Sequence, residues 1–239
     1  MKIKVFLLVA ITMYAHHSKE YIALESYSTC AKNEKIFHLI YDYYVENKDN
    51  PDFDHWELTP GFSYGITDHI MFGAHTHFAK FGKAFTLNES ELSPLIEAAN
   101  FAIQIRLKSL GFLNLAFLFS YEIPSDRSRK YLDGKEVIEG KIILSKNFLT
   151  HSNISVNFSF AKEGNEFIKE WALGIKNPLS ADPHGIAGGI EILGDYNNAF
   201  FLLPAIYFPI ERSIIKTGIG FGNQKTTYLR ANISLMYIF

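Results

Sequence analysis

The chain has one cysteine, Cys30, almost no net charge, and no apolar run long enough to cross a bilayer as a helix. A single thiol rules out a disulfide framework and a cysteine-built zinc centre. Because Ser28-Thr29 precede it, Cys30 does not sit in a lipoprotein box, so no lipid anchor is expected. Lys and Arg number 23 against 25 Asp and Glu. That balance supplies no basic field for phosphate backbones, and no nucleic-acid partner is expected. The longest apolar stretch, Ala199 to Ile210, has twelve residues and contains two prolines. A spanning helix needs roughly 20 apolar residues, so a polytopic helical membrane protein is excluded. No phosphate-cradling glycine loop is present, and no cofactor is expected. Aromatic residues, by contrast, are abundant. Phe, Tyr and Trp make up 15% of the 239 residues, yet mean hydropathy is only +0.02.

The two ends carry sorting signals. Lys2 and Lys4 precede an apolar core from Val5 to Ala15, followed by the polar exit His16-His17-Ser18-Lys19-Glu20. Such a charged, apolar, then polar order is a secretory leader, expected to occupy 1–15. At the other end, Ala231, Ile233, Leu235, Tyr237 and Phe239 alternate on one face, and the last residue is aromatic. This resembles the terminal strand of bacterial outer-membrane β-barrels. The resemblance implies recognition by the barrel-assembly machinery through Phe239, and residence in outer-membrane lipid.

Period-two alternation fills the region between in twelve runs, and apolar parity can be assigned in eleven of them. The cleanest sets Ile154, Val156, Phe158 and Phe160 against Asn153, Ser155, Asn157 and Ser159. One run, Ala199 to Phe208, is apolar on both faces and has no assignable parity. An even number of strands with both termini on one side is what a single-chain bacterial barrel requires. The expected fold is therefore all-β: a closed antiparallel transmembrane barrel of about 12 strands over 35–239. Residues 16–34 would be a periplasmic tail or a plug. The links after the second, fourth and sixth runs (65–67, 109–111 and 147–149) read as short turns. Those after the first, third and fifth read as long outer loops, the latter two at 81–93 and 123–134, and the long link 177–183 falls on the side expected to be short. A soluble β-sandwich would alternate in the same way. The polar faces, however, mix Gly, Ser and Asn with isolated charges of both signs, as a lumen does. Lys169 is the clear charge on the apolar parity, close to a strand end.

The stretch from Trp56 to Gly73, WELTPGFSYGITDHIMFG, resembles an outer-membrane transporter-like family named for the meta-pathway of phenol degradation. The resemblance implies a barrel importing small, often aromatic, solutes. It does not extend to an acidic segment expected after the leader, where Ser28-Thr29-Cys30-Ala31 stands instead. In this hairpin Gly65 is expected to supply positive φ and Asp68 a side-chain-capped turn.

Candidate pore-lining residues are the charges and imidazoles on the polar parity: Asp42, Glu57, His75, His77, Arg106, Glu122, Glu139, Lys141, Glu170, Glu191, Lys216 and Arg230. Their near balance argues against strong ion selectivity. Folding the second hairpin about Ile66 would set Glu57 opposite His75 and His55 opposite His77. Such a cluster could hold a divalent metal, titrate near neutral pH, or serve only as a lumen hydrogen-bond network. Catalysis is not expected. His151 and Ser152 are adjacent and would point to opposite faces of a strand, and Asp182-Pro183-His184 falls on the periplasmic side, wrong for a surface protease. The expected function is a passive channel for small solutes. A non-conducting barrel with contact-making loops is the rival, and an outer-membrane hydrolase a weaker one.

Overall fold

The computed structural model describes residues 23–46, 48–81, 95–107, 113–131, 134–148, 152–179, 185–196, 199–223 and 228–239. The expected leader at 1–15, residues 16–22, His151 and Asp182 to His184 lie outside them. Each alternating run forms one strand. In chain order these are β1 (Lys35–Val45), β2 (His55–Thr67), β3 (Ile70–Phe81), β4 (Leu95–Arg106), β5 (Asn114–Pro124) and β6 (Val137–Phe148), then β7 (Ser152–Glu163), β8 (Glu166–Pro178), β9 (Ala187–Asp195), β10 (Phe200–Ile210), β11 (Ser213–Gly222) and β12 (Leu229–Ile238). A short helix, α1 (Asp126–Tyr131), rides on the β5–β6 link. Every strand pairs antiparallel with its sequence neighbours, and β12 returns to β1 to close the barrel. The closing seam runs in unbroken register from Ile36↔Ile238 to Val45↔Leu229. Phe239 then donates its N–H to the Lys35 carbonyl at 3.0 Å, so both ends of the barrel chain lie at one rim, here the terminal rim.

Closure leaves no strand edge unpaired, which is the condition for a sheet to exist in hydrocarbon. The distribution of side chains follows from it. On β7, Asn153 and Ser155 are each 1% exposed while Phe160 points outward, and on β12 Asn232 and Ser234 are buried behind exposed Ile233 and Tyr237. Outward-facing Ile138 and Ile219 are 60% and 53% exposed. A water-soluble barrel has the opposite arrangement, and a continuous apolar belt of this kind is stable only against lipid. Aromatics mark both margins of the belt. Tyr41 and Trp56 lie 6.2 Å apart toward the distal rim, and Tyr237 and Phe239 meet edge-on at 4.9 Å at the terminal rim.

The ambiguous run resolves in β10. Phe201, Leu203, Ala205 and Tyr207 are buried inward, while Phe200, Leu202 and Ile206 face out. Both faces are apolar because one meets lipid and the other meets a filled part of the interior, where Tyr207 clusters with Ala187 and Ala205.

Connections depart from the sequence reading at two places. β2 continues through Thr67, with an irregularity between Gly65 and Thr67, and the chain reverses at Asp68-His69 rather than at 65–67. The Thr67 hydroxyl caps this turn by accepting from the N–H groups of His69 (3.1 Å) and Ile70 (3.0 Å). At the distal rim, β7 and β8 join tightly through Gly164, whose φ is +55, so a long loop does not recur there. β8 also overshoots its other neighbour. Glu166 pairs with Glu163 of β7, but pairing with β9 begins only at Glu170↔Asp195. Lys169 lies in this overhang, near the distal end of β8, where a charge on the apolar parity costs little.

The depth dependence of charge cost gives a test. Ile142→Arg, at mid-strand on the outer face of β6, is expected to destabilise the barrel by about 2–4 kcal/mol in lipid, whereas Lys169→Ala is expected to stay within about 1 kcal/mol. Urea unfolding in lipid bilayers measures both; equal costs would contradict the assigned depth of Lys169.

Candidate functional site

The interior is built from the inward parity of all twelve strands, and every sequence-nominated pore residue lies on it. At the β12–β1–β2 seam, Asp42 receives both arms of Arg230, Nε at 2.6 Å and Nη2 at 2.9 Å, and the Asn232 amide at 2.7 Å. Bidentate pairing of this kind is the strongest side-chain contact available to a buried carboxylate. The Arg230 guanidinium carbon lies 5.3 Å from the centre of the Tyr44 ring, which stacks on His55 at 4.5 Å. Glu57 completes the belt, with the Tyr44 hydroxyl at 3.5 Å and His55 Nε2 at 3.6 Å. Glu46 sits 3.7 Å from the other His55 nitrogen.

The expected cluster of His55, Glu57, His75 and His77 does not form. Moving the turn to Asp68-His69 shifts the register, so Glu57 faces Ala79, His55 faces Phe81 and His75 faces Gly61. The His75 ring lies over Gly61, where a Cβ would collide with it, and its ring centre is 5.6 Å from that of His38. His38 Nε2 lies 3.0 Å from the Ser63 hydroxyl. His77 is held by Thr59 at 3.2 Å and lies 3.8 Å from Glu122. His55, His75 and His77 thus have separate neighbours: Glu57 and Tyr44, His38, and Thr59 with Glu122. Among the described residues no group of three or more His, Cys, Asp or Glu side chains is disposed to hold a metal ion.

Across the bore, Glu139 accepts from the hydroxyls of Ser120 (3.3 Å) and Ser159 and lies 3.4 Å from Lys141. Glu170 is in electrostatic reach of Glu139, Lys141 and Asp195. Lys216 is buried on the β11 wall, and Arg106 donates to the Asp68 carbonyl at 2.6 Å near the terminal rim. The hydroxyl of Ser152 donates to the Asn177 side chain, a partner with no basic nitrogen to activate it.

The sequence reading missed several interior residues. Lys176 is buried with its ammonium 4.0 Å from the Tyr207 ring centre. It shares the parity of Glu170 and Gly174, so carrying the alternation past Ile175 finds it. Gln104 shares the inward parity of Arg106, and being uncharged it carries no signal of its own.

Residues 23–30 run inside the barrel, and 31–34 follow at its terminal rim. Glu191, 0% exposed, accepts from the N–H groups of Ala23 (2.7 Å) and Leu24 (3.1 Å) through one oxygen and from the Tyr207 hydroxyl (2.7 Å) through the other. Gln104 donates to the carbonyls of Ser26 (2.8 Å) and Ser28 (3.0 Å), and Asn157 donates to that of Glu25 (3.2 Å). Toward the terminal rim, Asp68 accepts from the Lys32 N–H (2.9 Å) and from the Thr29 hydroxyl (3.0 Å). Asp68 therefore anchors the incoming chain, and Thr67 does the capping expected of it. Gly65 also has a different role from the one expected. It has no positive φ; a Cβ there would collide with the Ala31 carbonyl, and its own N–H and C=O pair with Glu34 and Asn33. A cavity of about 510 Å³ flanks this segment and extends to His38, His75 and His77. A second, of about 310 Å³, lies beyond Ala23 among Lys141, Glu170 and Asp195.

No protein-family model matches the chain, and no curated protein matches it in sequence. Solved structures do. The KdgM porin superposes with a TM-score of 0.61 at 8% identity, covering 84% of this chain and 98% of that one. The KdgM porin in complex with disordered oligogalacturonate gives 0.58 at 9% identity, covering 85% and 98%. At this identity the likeness is one of fold: the chain is a closed 12-strand antiparallel barrel of the outer-membrane type. Outer membrane phospholipase A from Escherichia coli, at 0.48 and 12% identity over 84% and 92%, is too remote to bear on chemistry.

The Asp42–Arg230 pair is testable by a double-mutant cycle. Asp42→Ala alone is expected to cost about 3–5 kcal/mol because it strands a buried guanidinium. Asp42→Ala with Arg230→Met should recover much of that loss in detergent unfolding, and strictly additive costs would argue against the pairing.

Proposed function

We propose that this protein is a passive outer-membrane channel for small hydrophilic solutes. The observation that carries the reading is the inversion of polarity: an apolar belt outside, and inside it a wall of Ser, Thr, Asn, His and paired charges bordering two cavities. Diffusion down a gradient needs only such a wetted path. The porin-type fold supports the same reading. Residence in the outer membrane, with folding assisted at the strand that ends in Phe239, belongs to the proposal.

The wall bears on what passes. Asp42 and Arg230 neutralise one another, and Lys141 sits beside Glu139, so much of the lumen charge is spent on the wall itself. Solutes that exchange hydrogen bonds with hydroxyls, amides and imidazoles fit this lining better than strongly charged ones. The likeness of 56–73 to the meta-pathway family agrees with small solutes and does not select among them. No catalytic role is proposed.

A second reading, a non-conducting barrel whose loops make contacts, is favoured by the chain segment occupying the lumen and by the side-chain contacts that hold α1 and Glu136 on the distal β5–β6 link. On that link the Ser125 hydroxyl caps α1 through the Ser128 N–H at 3.0 Å. Glu136 is bound by the Tyr121 hydroxyl at 2.8 Å and the Arg129 guanidinium at 3.0 Å, contacts that hold its carboxyl below the usual range.

Planar-bilayer recording separates the two. Discrete single-channel steps, together with osmotic swelling of proteoliposomes in small neutral sugars, are the expected result. A folded, heat-modifiable barrel that stays silent would instead support the contact role.

A further inference from the structure

We infer that residues 23–30 form a resident strap that crosses the bore and sets the size limit of the channel; the inference rests on the channel reading above. The wall is matched to the strap group by group. Where the strap presents N–H groups, at Ala23 and Leu24, the wall supplies the Glu191 carboxylate. Where it presents carbonyls, at Glu25, Ser26 and Ser28, the wall supplies the amides of Asn157 and Gln104. A chain merely resting in a wet pore would leave these groups to water, whereas buried backbone groups need specific partners.

The apolar side chains of the strap make the same point by spacing. Leu24, Tyr27 and Cys30 are each buried, three residues apart, and each docks on a different sector. Leu24 meets Ala172 and Leu193 of β8 and β9. Tyr27 meets Ala116, Leu118 and Ile143 of β5 and β6. Cys30 meets Ile36, Met236 and Met71 of β1, β12 and β3. A segment that touches sectors so far apart around the wall spans the cross-section. It also explains why Leu118 and Ile143, otherwise out of place, stand on the polar parity. The larger cavity runs alongside the strap, bounded on its other side by His38, Thr59, His75 and Ser120. Solute therefore passes between strap and imidazole-bearing wall, through part of the bore rather than the whole of it.

The chain's single cysteine lies in the strap and reports its position. In the wild-type protein, reconstituted in lipid, Cys30 is expected to react slowly with a charged methanethiosulfonate. Glu191→Leu combined with Gln104→Leu removes the latch from both ends; the labelling rate should rise about tenfold as the thiol becomes accessible. Single-channel conductance should rise about twofold or more as the bore approaches that of an unobstructed twelve-stranded barrel. Labelling that rises while conductance stays constant would overturn the strap's role and leave the channel reading intact. A Cys30 that reacts rapidly in the wild type, or stays protected in the double variant, would overturn the seat or the latch. Silence before and after release would overturn the channel reading itself. Should the double variant fail to fold, Leu24→Cys with Leu193→Cys in a Cys30→Ser background tests the same claim on an intact latch. A disulfide that forms readily and leaves conductance at the wild-type value supports the resident strap; failure to form, or a changed conductance, refutes it.

Discussion

In hydrocarbon there is no water to satisfy an amide, so each backbone N–H and C=O must find its partner within the protein. The ladder between β12 and β1 meets this demand at the one place where a twelve-stranded sheet would otherwise end. Everything else follows from that seam. Once the edges are gone, no strand has to be very hydrophobic, because only alternate side chains touch lipid. That accounts for abundant aromatics beside a mean hydropathy of +0.02. It also turns the polar half of each strand inward, where Asn153 bonds Ser145 and Asn147, Asp42 pairs with Arg230, and Glu139 lies beside Lys141.

The same demand governs the interior. A peptide segment in a narrow lumen brings its own donors and acceptors, and these need answers as definite as those of the sheet. Glu191, Gln104 and Asn157 provide them, while Leu118, Ile143 and Ala172 give the segment's side chains dry surfaces to rest on. Interior residues that look misplaced for an open pore become ordinary once the bore has an occupant. The lining of this barrel is thus shared between a fixed wall and a strap from its own chain, and the passage is shaped by both.

Much of the fold could be read from the sequence because period two is a local property. Eleven of the twelve runs declare which side chains share a face, and Asn153 to Phe160 does so without ambiguity. Where local pattern was insufficient, the reasons are physical. The second hairpin's register depended on where the chain turns, and a Thr67 cap with an irregularity after Gly65 moved that point by two residues, which separated Glu57 from His75. β10 defeated parity because lipid and a filled interior both favour apolar side chains. Residues 16–34 read equally as a periplasmic tail or a plug, and the sequence could not choose between them for a different reason. The strap's contacts, Ala23 with Glu191 or Glu25 with Asn157, join residues more than a hundred positions apart, and an uncharged Gln104 gives no sign that it will bind two carbonyls.

The central claim is that the greasy face of each strand meets acyl chains and the wet face meets the lumen. Adjacent cysteines on β7 test it most directly. In a Cys30→Ser background, Val156→Cys, Asn157→Cys and Phe158→Cys are labelled one at a time with an environment-sensitive dye in vesicles containing brominated lipid. The account predicts quenching by lipid bromines at 156 and 158 and none at 157. Uniform protection at all three, or quenching at 157 alone, would contradict it.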